Sequence, residues 1–378
     1  MAKKRQNPFI TVGYKGPEYF CDREEETKRI IDNAKNGNHT SLISIRRIGK
    51  TGLIHHVLEK MDKDWIVIYV DIEDTENMNQ FFNKIISSAI QALPEKTHPG
   101  KKLWKFLKSL RAILKFDPLT GNPSVSIDLK EDDTKINIES FFRILDELNS
   151  NVLIAIDEFQ EILKYPEKNT DSWLRSKIQT LKNVYFIFSG SKQHLMQDMF
   201  TTPKNPFFRS TQLLILKKLD VDVYSDFVIR MFEKHNKTIE KETATDIIKW
   251  AKVHTFYVQQ LLNRVFSSST KMVSDDLWKK QAYILLKEQE QIFFSYRNLL
   301  TKSQWELLKA IALEGQVFNI TAGNFLKKHD LSSSSGVIRA LNSLLKSELI
   351  YSNFDKNGEK FYAVYDVFFQ QWVTEKIG

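Results

Sequence analysis

Between residues 41 and 53 the chain reads SLISIRRIGKTGL, an apolar run that breaks into a polar loop before a helix-prone segment resumes. The order is strand, tight loop, helix start. It fits the phosphate-binding pattern G-x-x-x-x-G-K-[ST] at its last three fixed positions, with Ser44 where the first Gly is expected. Gly49 lets backbone N–H groups curl around phosphate oxygens, and the helix that follows adds the positive end of its dipole. Lys50 would reach the β- and γ-phosphates. Thr51 would set its hydroxyl on Mg²⁺, an ion that keeps several waters and takes few protein ligands. The candidate nucleotide cradle is therefore Ser44, Arg46, Arg47, Ile48, Gly49, Lys50, Thr51 and Gly52. Arg46 and Arg47 equally suit pairing with acids.

A second signal lies about 100 residues on, where the apolar run VLIAI ends in Asp157 and Glu158. Asp157 would hold Mg²⁺ through water, and Glu158 would orient or deprotonate an attacking water. Nucleotide hydrolysis is mostly positioning and charge stabilisation, so these are the roles a site needs. A third polar strand end, Ser189, Gly190, Ser191 and Lys192, either senses a γ-phosphate through a hydroxyl or amide or is an ordinary turn. Arg209 follows a proline-bearing loop, NPFFRS, just before a last strand. It either makes a local ion pair or presents a guanidinium to a γ-phosphate, in cis or across an interface, as an arginine finger does.

These residues need a scaffold that brings strand ends together. Short β-rich runs at 65–71, 151–157, 183–189 and 212–216 alternate with helical patterns at 79–92, 139–149 and 173–181. Near-continuous apolar strands between helices predict a parallel sheet covered on both faces. Ligands bind at the carboxyl ends of such strands, where Lys50, Asp157 and Ser189 would fall. A helix ahead of the loop, through Ile30, Ile31 and Ala34, stops at Gly37. The aromatics before it, Phe9, Tyr14, Tyr19 and Phe20, either pack the edge of this domain or cover an adenine ring.

An insertion spans 93–135. Leu103, Leu107, Leu110 and Leu114 share a helical face, and the stretch 96–115 holds seven Lys or Arg and no acid, so a basic amphipathic helix is expected. A hairpin over 116–129 would turn at PLTGNP, with Val125, Ile127 and Leu129 alternating with polar residues. This helix either packs on its parent domain or offers a docking surface for DNA or an acidic protein. From 220 to about 297 every pattern is helical, a small helical domain beside the sheet. Three helices then precede two strands that turn at DKNG, the arrangement of a winged helix, with the serines at 332–335 suited to cap its third helix. The expected domains are thus an ATPase-like core at 1–217, a helical lid at 218–297 and a winged helix at 298–378.

With 42% hydrophobic and 27% charged residues over 378 positions, the composition suits a multi-domain globular chain. No apolar run approaches the roughly 18 residues that span a bilayer, and no secretory leader is evident, so a cytoplasmic protein without membrane contact is expected. One cysteine, Cys21, rules out an intrachain disulfide and a cysteine-cluster metal site. The net charge of +8 permits nucleic acid as a partner without requiring it.

The loop, the IDEFQEI run, the FSGS run and the PFFRSTQLL run, followed by helices and a winged helix, together resemble the archaeal-type ATPases of the STAND-like branch of the AAA+ superfamily. The resemblance implies a P-loop α/β sheet with an additional strand, 183–189, between the strands that carry the two Walker motifs. It implies Mg-ATP as ligand and a nucleotide-controlled switch in which lid and winged helix move. Gly49, Lys50 and Thr51 match the Walker A residues, Asp157 and Glu158 the Walker B pair, Ser191 or Ser189 the sensor, and Arg209 the arginine before the last strand. The chain departs from relatives that show Gly-His-Pro-Tyr-Tyr in the lid; here the run is VHTFY, which leaves His254 as a nucleotide contact or a packed core histidine.

Guanine readers use Asn-Lys-x-Asp, and the run NKTI at 236–239 lacks the Asp, so ATP is favoured. The expected function is a slowly hydrolysing ATPase switch, with self-association open. A DNA-binding regulator modulated by ATP is the alternative, its recognition helix offering Arg339, Asn342 and Lys346.

Overall fold

The computed structural model describes residues 7–110, 112–116 and 123–377. It divides into two compact units, one of residues 13–217 and one that joins residues 7–12 to 218–377.

The first unit contains α1 (Glu24–Lys35), β1 (Thr40–Ile43), α2 (Lys50–Lys60), β2 (Ile66–Asp71), α3 (Met78–Ala92), α4 (His98–Ser109), β3 (Ile113–Phe116), β4 (Pro123–Ser126), α5 (Glu131–Asp146), β5 (Val152–Asp157), α6 (Thr170–Ile178), β6 (Val184–Gly190), α7 (Gln193–Thr201) and β7 (Gln212–Ile215). Five of these strands form one parallel sheet in the order β2-β5-β6-β1-β7. β6 thus lies between β1 and β5, the additional-strand arrangement. All six residues of β5 are buried, which is why its sequence shows no alternation. One face is covered by Phe81, Phe82, Ile85 and Ile86 of α3 and Phe141 and Phe142 of α5; Leu53, Ile54 and Val57 of α2 are likewise buried. Each such side chain contributes about 1.5–3 kcal/mol of apolar burial.

The insertion differs in detail from the expected pattern. α4 ends at Ser109, so Leu110 only caps it, and Leu114 lies in β3, where it pairs with Val125 of β4. The reason is tertiary: Ser87 and Asn83 of α3 accept the backbone N–H groups of Val125 and Ile127, at 2.8 and 3.0 Å, which draws the hairpin onto the domain. Of the expected turn at 118–123, residues 118–122 lie outside the described residues, as does Arg111, and Pro123 opens β4. Leu103 and Leu107 are buried, so α4 packs on its parent domain while Lys101, Lys102, Lys105 and Lys108 stay exposed. α5 begins eight residues before the expected 139, where Glu131, Asp132 and Asp133 occupy the positive end of its dipole.

The second unit contains α8 (Val221–Glu233), α9 (Lys241–Trp250), α10 (Thr255–Ser268), α11 (Asp275–Leu299), α12 (Lys302–Glu314), α13 (Gly323–Lys328), α14 (Ser334–Lys346), β8 (Ile350–Phe354), β9 (Lys360–Val364) and α15 (Val367–Ile377). β8 and β9 form an antiparallel wing, joined by a bridge between Val317 and Tyr362. Ser333 caps α14 by accepting the Gly336 N–H. The final helix, α15, was not expected from the pattern. Its Phe369 and Trp372 pack on Phe293 of α11, with ring centroids 5.7 and 5.4 Å apart, and tie α15 to α11. Phe9 belongs here too, seated on Phe232 and Phe266 with its carbonyl accepting from Asn263.

Candidate functional site

Because the sheet is parallel, the carboxyl ends of β1, β5 and β6 meet on one edge, with Ile43 level with Gly190. Leaving β1, the chain passes through Arg47 at φ 62° and Gly49 at φ 101° before Lys50 opens α2. The left-handed turns fall at these two positions and not at Ser44, which is buried and donates its hydroxyl to the Ile45 carbonyl at 2.9 Å. A side chain is therefore tolerated where the pattern has its first Gly.

Lys50 is only 7% exposed, and its ammonium sits 3.7 Å from Asp157 and 3.8 Å from Glu158. Thr51 donates to Asp157 Oδ2 at 2.8 Å. The motif residues from two distant segments thus converge on one buried carboxylate. Burial works to raise the Asp157 pKa, but the Lys50 cation and the Ser189 hydroxyl, Thr51 hydroxyl and Glu158 amide outweigh it and hold the carboxyl below its ordinary value.

Glu158, at φ 57°, turns out of the strand. Its Oε2 accepts from Ser191 Oγ at 2.7 Å, from the Ser191 N–H at 3.3 Å and from Gln160 Nε2 at 2.6 Å. Arg46 Nε donates to the same Ser191 hydroxyl at 3.4 Å. Ser191 is thus brought to Glu158, while Ser189, fully buried, lies beside Asp157.

Arg209 is placed elsewhere. Thr40 of β1 lies level with Gln212 of β7, so Arg209, three residues earlier, stands at the amino end of the sheet, away from its own chain's phosphate loop. It is exposed, at φ 51°, with its guanidinium 5.1 Å from the Phe208 ring. His254 belongs to the second unit, where it is 3% exposed and stands edge-on to Tyr257 at 4.9 Å.

Two residues that motif reading overlooked complete the site. Tyr69 of β2 donates to Asp157 Oδ2 at 3.2 Å; burial and the neighbouring carboxylates keep its phenol protonated. Its ring lies 4.4 Å from His55 of α2, whose pKa is lowered by burial against the pull of Asp157. Gln160, fully buried, is the other. Its place within IDEFQEI was the available signal; Tyr69 had none beyond strand periodicity. Phe20 stacks on His56 at 4.3 Å and lies against Gly52, so part of the aromatic preface rests on the first turns of α2.

The donor set suits a Mg-nucleotide: a glycine turn opening a helix, one cation, one hydroxyl and one ionised carboxylate within reach of each other. Residues 291–375 match a family model described as a probable winged helix domain. No curated protein matches the sequence. Among solved structures, the Walker-type ATPase of Pyrococcus abyssi is similar at a TM-score of 0.67 and 17% identity, over 97% of this chain and 99% of that one. The Aeropyrum pernix ORC2 protein, solved in ADPNP-ADP complexes, is similar at 0.59 and 14%, over 98% of each chain. The Aeropyrum pernix ORC1 protein in complex with DNA is similar at 0.52 and 12%, over 99% of this chain and 97% of that one. The chain therefore shares the fold of these structures, a parallel-sheet core with a P-loop-like turn, followed by a C-terminal winged helix.

Proposed function

We propose that this protein binds Mg-ATP at the loop of residues 44–52 and hydrolyses it slowly, as a nucleotide-dependent switch. The observation that carries the reading is the convergence of Lys50, Thr51, Asp157 and Glu158 at one edge of the sheet. When bound, Mg²⁺ would supply positive charge to offset the negative charge that develops during transfer. Thr51 and Asp157 are the groups that would hold it, directly and through water. Lys50 binds phosphate oxygens, in place of its present carboxylate neighbours. Glu158 orients the attacking water and takes its proton at Oε1, the oxygen left clear of Ser191 and Gln160. Arg209, at the opposite end of the sheet, serves a neighbouring protomer's nucleotide and not its own.

The test is steady-state ATP hydrolysis per protomer across a wide range of protein concentration, with Glu158→Gln as control. Turnover that rises with concentration and is lost in the variant is expected. Activity that survives Glu158→Gln refutes the assignment of the base, and concentration-independent turnover refutes the trans role of Arg209.

A second reading, ATP-modulated DNA binding, is favoured by the exposed lysines of α4 and by Arg339, Asn342 and Lys346, all exposed along α14. Residues 301–378 hold nine basic and eight acidic side chains, so the winged helix alone lacks the cation excess that tight phosphate contact needs.

A further inference from the structure

The hairpin of β3 and β4 leaves one strand edge open. Val125 and Ile127 turn their N–H groups away from β3, onto Ser87 and Asn83, so α3 closes the outer edge of β4. Val125 pairs with Leu114, and backbone groups alternate in direction along an antiparallel ladder. The N–H and C=O of Leu114, and those of Phe116 two residues on, therefore point away from β4. Among the described residues no strand lies beside β3 on that side. Apolar side chains flank this edge in the open: Ile113 is 59% exposed and Phe116 62%. Unpaired backbone groups with apolar neighbours are a template for a further strand.

Charge decides which strand fits. Lys115 is exposed on the same face of the hairpin as Ile113, and α4 adds the exposed Lys101, Lys102 and Lys105. Residues 96–115 contain no acid. Lys108 is answered by Glu95 at 2.8 Å, whereas among the described residues no carboxylate stands within ion-pair distance of the other four lysines. A second copy of β3 would bring one basic edge against another, which is destabilising. DNA could meet the lysines but has no peptide groups to pair with the edge.

We propose that β3 receives an extended acidic segment of a partner protein as a third, antiparallel strand of this hairpin. Partner residues opposite Leu114 and Phe116 turn their own N–H and C=O groups toward β3, and their side chains join the Leu114 and Phe116 face. The exposure of Phe116 leaves room there for apolar groups. The partner residues between them stand on the Ile113 and Lys115 face, where carboxylates pair with the lysine. The segment that fits thus alternates acidic and apolar residues. A two-stranded hairpin is marginal by itself, and a third strand steadies it. The docking does not depend on nucleotide.

The test is fluorescence anisotropy of a labelled octapeptide of alternating Glu and Val, titrated with the full chain. The same peptide N-methylated on its valines or on its glutamates, and a labelled DNA duplex, are titrated beside it. We expect the parent peptide to saturate. Methylating the valines removes the donors that face β3 and should weaken binding at least about tenfold, whereas methylating the glutamates, whose N–H groups face solvent, should not. Leu114→Pro deletes the outward N–H and spares the bonds between β3 and β4, so it too should weaken binding at least about tenfold. Lys115→Glu should do the same through charge. Melts verify the fold of each variant, and if Leu114→Pro fails to fold, the methylated peptides test the unaltered chain. The proposal is overturned if the parent peptide does not saturate, if the valine-methylated peptide binds as well, or if folded Leu114→Pro binds like the parent. Tight binding of the duplex without binding of the peptide also overturns it, because the basic face then serves nucleic acid.

Discussion

Gly190 offers a way to disturb the site without altering any residue assigned to chemistry. A Cβ built there would stand 2.0 Å from Gln160 Oε1 and 2.7 Å from both Cγ and Sδ of Met196. Both neighbours are fully buried, so neither swings into solvent. Gly190→Ala must therefore push Gln160 aside, and Gln160 is what donates to Glu158 at 2.6 Å. Overpacking of this kind costs about 1–3 kcal/mol, and the lost hydrogen bond to a carboxylate costs about 1.5–3 kcal/mol. A fall in Tm on the order of 10 °C follows for a unit of this size. The phosphate loop is untouched, so ATP affinity should hold, while turnover drops about 10–100-fold as Glu158 loses its placement. Adding Gln160→Ala to Gly190→Ala relieves the closer clash but leaves the one with Met196, and should restore part of the stability but not the turnover. Denaturant unfolding, calorimetry and single-turnover hydrolysis read the three quantities separately. Gly190→Ala with native stability, or a double variant that regains full turnover, would refute the link from Gly190 through Gln160 to Glu158.

Lys50→Ala should abolish Mg-ATP binding by calorimetry; unchanged affinity would sink the phosphate-loop assignment. Asp157 has a pKa lowered from 3.8 on folding, so its stabilisation is present above that value and is lost as pH falls through the lower folded one. Asp157→Asn should accordingly flatten the acid limb of unfolding below about pH 4, seen in denaturant midpoints across an acid series. Replacing Lys101, Lys102, Lys105 and Lys108 by Glu should remove salt-sensitive retention on a DNA column, whereas retention that persists clears α4 of the role.

The sequence by itself determined the elements whose signal is local. Gly-Lys-Thr after an apolar run, Asp-Glu at the end of another, and the continuous apolar strands located the parallel sheet and the edge where the candidate site lies, because a buried strand must be apolar throughout and a tight turn of this kind needs a residue free at positive φ. The winged helix was legible from helix spacing and the DKNG turn. Tertiary structure decided the rest. Whether Leu114 joined a helix or a strand depended on polar groups of α3 that lie 27 or more residues earlier. Phe9 found its partners more than 200 residues away, and α15 is held by aromatic rings of α11 that no local pattern announces. Tyr69 and Gln160 reach the acidic pair only because strand register and a close-packed Gly190 bring them there. Arg209 was visible as a residue, but only the parallel register of β7 on β1 set it at the far end of the sheet, since direction and register are properties of paired strands and are not written in either strand alone.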